Sequence, residues 1–335
     1  MIVSWVRTHG RSRAIAEELS IKAIFLSETT ARKSLPTKYI YAAIETVREI
    51  RRERPSSVIL MLPPFPLLVL VRVCFPRLPV IADLHTGAFL NPKWRPFLKP
   101  TFALLRGGSC IVTNSALQQQ CNQAGIEAVV LHDPLPERMP EPGGRPFVRK
   151  PAVVLCPLGY ANDEPIDELL SAARHLATDE IEFRFTGKAP LSIRQAAPTN
   201  VLFTGYLTDS DYEAELTNCD VVIALTTREH TMQRAGYEAM TAAKPQVTSD
   251  FEVLRDFHAD AAIYVDPSDP QAISEAVTHA LADADALAGF ARARFGEVRA
   301  DQKVAIDELR RVVKSAEART PFGGRRRMPF LRGTR

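Results

Sequence analysis

The side chains able to do chemistry in this 335-residue sequence gather in short polar segments that follow apolar runs. In Ala82-Asp-Leu-His-Thr-Gly-Ala-Phe-Leu-Asn91, Asp83 and His85 lie two residues apart, on one face of a strand end. Gly87 beside them leaves room for a ligand to approach the backbone. Such a polar cluster directly after Val80-Ile-Ala is hard to justify by packing, which favours a functional site over a plain turn in which His85 caps a helix. A second segment, Leu225-Thr-Thr-Arg-Glu-His-Thr-Met-Gln-Arg234, follows Asp220-Val-Val-Ile-Ala and enters a helix expected near Met232. Thr226, Thr227 and Arg228 ahead of that helix, with Arg234 in its first turn, suit a phosphate group at a helix amino terminus. Glu238 is one turn further on and is expected to face the same space. Taken alone, a charged and solvated loop is the better account of this segment.

Two more segments are weaker. Thr8-His-Gly-Arg-Ser12 follows the first apolar run, with Ser12 expected to cap a helix over 13–19. Its Gly10 is not part of a Gly-x-Gly-x-x-Gly dinucleotide fingerprint. In Leu158-Gly-Tyr-Ala-Asn-Asp-Glu-Pro165, Asp163 reads as a helix cap, and Thr186-Gly-Lys188 and Thr204-Gly-Tyr206 end the next two apolar runs in matching fashion.

The elements that must position these segments are visible as apolar runs at 2–6, 22–26, 58–62, 80–84, 109–113 and 128–132, then 152–156, 182–186, 201–204, 220–225, 245–248 and 261–265. Their hydrophobicity is continuous rather than alternating, so both faces of each strand are covered, as in parallel sheets flanked by helices. The expected fold is α/β: two Rossmann-like, doubly wound domains facing across a cleft, with ligands near the carboxyl ends of the strands. Six prolines and two glycines in the segment from Pro134 to Pro151, both ends included, mark a linker. The division is therefore a first domain over 1–135, a linker over 136–151, a second domain over 152–298, a C-terminal helix over 299–318 and a basic flexible tail over 319–335.

Composition narrows the function classes. With 46% hydrophobic and 24% charged residues the chain has material for two cores. Five scattered cysteines without Cys-x-x-Cys spacing read as reduced, mostly buried thiols, and no secretory signal is visible. The apolar stretch 58–75 holds Pro63, Pro64 and Pro66, which would break a spanning helix; it reads as a strand, a turn and a buried helix over 67–75. Of the formal net charge of +3, five arginines lie after Thr320 with no acid among them, so the body is slightly acidic and nucleic acid is not expected as a partner.

The order of these segments resembles a GT-B glycosyltransferase of the family 4 type, over nearly the whole chain. Gly236-Tyr-Glu-Ala-Met-Thr-Ala-Ala-Lys-Pro-Gln-Val-Thr-Ser-Asp250 is similar to that family's Glu-Ala-Met, Gly-Lys-Pro and Asp signature, and Ile111-Val-Thr-Asn-Ser-Ala-Leu117, Asn200-Val-Leu-Phe-Thr-Gly-Tyr206 and Tyr264-Val-Asp-Pro267 fall at comparable places. The resemblance implies a retaining transfer of a sugar from a nucleotide-sugar to a glycan or glycolipid acceptor, with no metal and no cofactor. It implies that His85 contacts the donor sugar, that Glu238 holds the ribose, and that His230, with Arg234, meets the diphosphate. Gly159, Lys188, Thr227 and Arg228 complete the donor set, and His9, Gly10 and Arg11 are candidates for the acceptor. The family's paired carboxylates fall on positions 230 and 238, where the first is His230 here. The family's Arg and Lys after the first strand of the second domain are absent, so Lys188, Arg228 and Arg234 are the cations left to stabilise a leaving diphosphate.

No protein nucleophile is expected, since the leaving phosphate can accept the acceptor's proton; were the reaction inverting, Asp83 would be the carboxylate to act as base. The alternative is a GT-B scaffold that binds a nucleotide or protein partner without catalysis. A nucleotide-sugar epimerase is a third reading. Location is expected to be cytoplasmic, with Phe322, Phe330, Leu331 and the tail arginines able to hold the chain on the anionic inner face of the cell membrane.

Overall fold

The computed structural model describes residues 1–6, 9–26, 34–139, 151–177 and 180–319. Most of the expected linker and all of the tail arginines lie outside the described residues. The chain forms two compact units, one of Met1–Pro134 with the chain from Val304 onward, the other Leu135–Lys303.

The first unit is a six-stranded parallel sheet of β1 (Ile2–Ser4), β2 (Ala23–Phe25), β3 (Val58–Leu62), β4 (Val80–Leu84), β5 (Ser109–Val112) and β6 (Glu127–Val130), in the order β2-β1-β3-β4-β5-β6. β3 and β4 pair residue for residue from Val58–Val80 to Leu62–Leu84, and all ten side chains are buried. That is why β3 reads as unbroken apolar sequence and β4 as an apolar run interrupted only by Asp83. Helices α1 (Gly10–Glu18), α2 (Leu35–Glu53), α3 (Phe65–Cys74), α4 (Thr86–Leu90), α5 (Leu98–Leu105) and α6 (Ser115–Gln123) connect the strands. α3 starts two residues earlier than expected, because Pro66 fits the first helical turn, where its missing N–H is no loss. It is also less buried than expected: Leu67, Leu68 and Val71 face the core, whereas Val73 is 73% exposed.

The second unit holds β7 (Ala152–Cys156), β8 (Ile181–Thr186), β9 (Val201–Gly205), β10 (Val221–Ala224), β11 (Gln246–Ser249) and β12 (Ile263–Val265), all parallel, in the order β12-β11-β10-β7-β8-β9. Its helices are α7 (Ile166–His175), α8 (Leu191–Ala196), α9 (Asp209–Asn218), α10 (Arg234–Thr241), α11 (Glu252–His258) and α12 (Pro270–Ala282). The strand order reverses between β7 and β10, and between β1 and β3 in the first unit, which makes the loops after those strands the natural ligand positions.

The C-terminal helix is longer than the sequence indicated, running as α13 from Ala284 to Arg319. Phe295 and Val298 pack with Leu135, Tyr237 and Phe257 in the second unit. Ile306, Leu309 and Val312 pack with Ile2, Ile15, Ile59 and Ile81 in the first. Four of the five cysteines are buried and all are free thiols; Cys74 is exposed.

Candidate functional site

In the first unit, β1 and β4 bring His9, Arg11, Asp83 and His85 together. His85 Nε2 donates to Asp83 Oδ2 at 3.1 Å, so the residues two apart do share a face. The other carboxylate oxygen accepts from Arg11 Nε and Nη2, each at 3.2 Å, and Arg11 Nη1 also reaches Asp133 Oδ1 at 3.3 Å. Burial alone would raise the Asp83 carboxyl, but the Arg11 guanidinium, followed by His85, outweighs it and holds the group well below the usual carboxylate range. The His9 and His85 rings meet edge to face with centroids 4.7 Å apart. Burial, and next the neighbouring His85, push His9 down to about 4. His9 is thus a neutral imidazole whose Nδ1 accepts from the Ser12 N–H at 3.2 Å.

This geometry corrects three expectations. α1 begins at Gly10 and is capped by His9; Ser12 lies inside it. Arg11 is 4% exposed and locked between two carboxylates, so it braces the interior and is not presented to an acceptor, while Gly10 remains exposed at the helix start. Asp83 has both oxygens engaged and is itself 2% exposed, which suits it to orient His85 and not to take a proton from an acceptor hydroxyl.

In the second unit, the loops after β7 and β10 are pinned together at the point where the strand order reverses. Thr226 Oγ1 donates to Asp163 Oδ2 at 3.1 Å, and the Thr227 N–H donates to the Asp163 carbonyl at 2.7 Å. Arg228 donates to Asn162 Oδ1 at 3.0 Å and lies 3.5 Å from the Asp163 carboxylate. Ser249, at the end of β11, holds the same loop from the other side by accepting from the Thr226 N–H and donating to its carbonyl. Asp163 is therefore a pin between loops; the cap position of α7 is Pro165. Gly159 and Ala161 donate their N–H groups at 3.0 and 2.9 Å to the two oxygens of Glu164, a contact the sequence reading missed. Gly187 sits at φ +77° against this loop, and a Cβ there would stand 2.1 Å from the Leu158 carbonyl oxygen, so only glycine fits. Lys188 follows it and is exposed.

α10 starts at Arg234, two residues later than expected. Glu238 does not project unengaged: Oε1 accepts from Arg234 at 2.6 Å and Oε2 from the Tyr212 hydroxyl of α9 at 2.6 Å. Burial, then the Glu238 charge, push the Tyr212 hydroxyl well above its usual range. Tyr212 escaped the sequence reading because it lies in a helix with no motif around it. Arg234 keeps 77% of its side chain exposed despite the ion pair. His230 is half-buried and holds the left-handed backbone region at φ +57°, which is uncommon outside glycine and asparagine. Among the described residues no group of three or more His, Cys, Asp or Glu side chains is placed to hold a metal ion, and no helix is long and apolar enough to cross a membrane.

Two doubly wound parallel sheets in tandem, each with its polar loops after the strands beside the reversal of order, define the GT-B architecture. Solved structures agree on the fold. Anabaena HepE in complex with UDP and glucose superposes with a TM-score of 0.68 at 15% identity, covering 94% of this chain and 91% of that one. The sucrose-phosphate synthase of Thermosynechococcus elongatus gives 0.69 at 12% identity over 95% of this chain and 100% of that one. The UDP-forming α,α-trehalose-phosphate synthase of Burkholderia vietnamiensis gives 0.69 at 12%, over 96% and 98%. No curated protein sequence matches this chain. Residues 150–283 match the family of glycosyl transferases group 1.

Proposed function

We propose that this chain is a retaining, metal-independent glycosyltransferase that moves a sugar from a nucleotide-sugar to a glycan or lipid-linked acceptor. The observation that carries the reading is the group 1 match over 150–283, which encloses the two pinned loops and the amino terminus of α10. Transfer with a diphosphate leaving group needs positive charge where the phosphates depart. Arg228, beside the Thr226 and Thr227 loop, and Arg234, exposed at the start of α10, supply it, with Lys188 after β8. Glu238 is held ready for a ribose hydroxyl by Tyr212. His85, oriented by Asp83, contacts the donor sugar, and the departing phosphate accepts the acceptor's proton. HepE and a Staphylococcus aureus TarM variant, solved with UDP, support UDP as the first donor nucleotide to try. The arginines after Thr320 give the chain a further hold on an anionic membrane surface.

One contact favours a second reading, a scaffold that binds without transfer: the amides of Gly159 and Ala161, which a diphosphate would need, are taken by Glu164. A single experiment separates the two. Isothermal titration with UDP and GDP, followed by NMR of the product anomer from UDP- and GDP-sugars, should show nucleotide binding and retention. Glu238→Gln should weaken nucleotide binding about tenfold, the loss of one charge-assisted hydrogen bond. Absence of binding to either nucleotide, or binding with no product formed, supports the scaffold, and an inverted product sinks the retaining mechanism.

A further inference from the structure

The loop after β7 holds an anion of its own in a place shaped for one. Tyr160 occupies the left-handed backbone region at φ +56°, and a left-handed residue between two amides turns both N–H groups toward one side. The Gly159 and Ala161 N–H groups converge in this way on a single carboxylate, donating to Glu164 Oε1 at 3.0 Å and to Oε2 at 2.9 Å. A carboxylate that accepts through both oxygens presents to these amides what two phosphate oxygens would present.

The contact is local and its backbone is anchored apart from it. The Glu164 N–H donates to the Ala161 carbonyl at 3.1 Å, closing a turn that folds the side chain back over the two amides. Asp163, the residue before it, is fixed to the loop after β10 through Thr226 and the Thr227 N–H. The carboxylate can therefore leave while the turn stays in place.

The loop also carries costs that an anion must hold in place. A left-handed aromatic residue is strained, and the Tyr160 hydroxyl is buried with no hydrogen-bond partner among the described residues. Drawing the two amides onto one anion offsets both costs, and Glu164 is that anion. Its charge is uncompensated: among the described residues Arg228 and Arg234 pair with Asp163 and Glu238, whereas Glu164 has no cation within ion-pair distance. Gly159 and Ala161 are exposed, so a competing anion reaches their amides from solvent.

We propose that Glu164 is an internal latch on this loop, its carboxylate occupying the Gly159 and Ala161 amides until a diphosphate displaces it into solvent. The inference rests on the transferase reading for the identity of the displacing anion, the diphosphate of a nucleotide. Binding must open the latch, so the apparent affinity is lowered by the fraction of the time that the loop is open.

The test is isothermal titration of the full chain with inorganic diphosphate and with UDP, together with the amide resonances of Gly159 and Ala161. Glu164→Gln and Glu164→Ala should bind inorganic diphosphate about tenfold more tightly than wild type, as for a latch open roughly one-tenth of the time. Glu164→Asp, a methylene too short to meet both amides, should gain several-fold although it keeps the charge. In every chain the two amides should shift as diphosphate is added, and each variant should still unfold cooperatively on heating.

Equal or weaker diphosphate binding by Glu164→Gln and Glu164→Ala overturns the latch and makes the contact a brace for the loop. A gain in those two with none in Glu164→Asp overturns it as well, since charge repulsion alone then suffices. So does diphosphate binding that leaves both amide resonances in place, or no diphosphate binding by any chain. Diphosphate binding that tightens in the variants while UDP binds none of them leaves the latch standing and removes the nucleotide reading. UDP binding that is equal in all four chains does the reverse.

Discussion

The two units wind nearly the same sheet but use their polar residues in opposite ways. At the strand ends of the first unit, Arg11, Asp83, Asp133 and His85 are engaged with one another, and Arg11 and Asp83 are almost fully buried. At the strand ends of the second, Asp163, Arg228, Arg234 and Glu238 are also paired, yet the pairs stand at loops and at an exposed helix start. A buried pair is costly to open and so fixes geometry, whereas an exposed pair contributes about 0–1 kcal/mol and can exchange partners with a ligand. The first unit therefore holds a rigid imidazole, and the second holds charges that a phosphate or ribose can recruit.

The contrast is broken most directly at Arg11. Arg11→Met leaves the Asp83 carboxylate buried without its cation and should cost about 3–5 kcal/mol, read as a lower urea midpoint. The double variant Arg11→Met with Asp83→Asn should recover part of that loss, as expected of coupled neighbours. The matching change in the second unit, Asp163→Ala, removes a charged hydrogen bond from Thr226 and should cost about 1–3 kcal/mol. It should also weaken UDP binding, because the loop carrying Thr227 and Arg228 loses its pin; unchanged affinity by calorimetry would separate this loop from the nucleotide.

A further effect is on pH. His9 is pushed down to about 4 from an ordinary value of 6.5, so the unfolded chain binds the extra proton first as pH falls. Stability should decline on acidification through that window and level off below it. His9→Asn keeps a side-chain acceptor for the Ser12 N–H, and it should flatten the decline in urea-unfolding midpoints measured between those values.

Much of the architecture was legible because continuous apolar runs have few other uses. Val58–Leu62, Val80–Leu84 and Ala152–Cys156 were expected with the bounds they have. That Asp83 and His85 share a face was readable from strand alternation; their hydrogen bond was not. What could not be read were contacts set by long-range packing: Arg11 lies 72 residues from Asp83, and Tyr212 lies 26 from Glu238. The Glu164 contact to Gly159 and Ala161 is local, but an acid in a loop has too many possible uses for spacing to choose among them. The C-terminal helix was cut short because its buried positions change from one core to the other along its length.

That change of core has a consequence for biosynthesis. The first unit has its six strands once Val130 has been made, but Ile15, Ile59 and Ile81 wait for Ile306 and Leu309 to cover them. At roughly 5–20 residues per second, translation leaves that apolar face open for on the order of ten seconds or longer. During this interval the uncovered apolar face is a surface through which nascent chains can stick to one another.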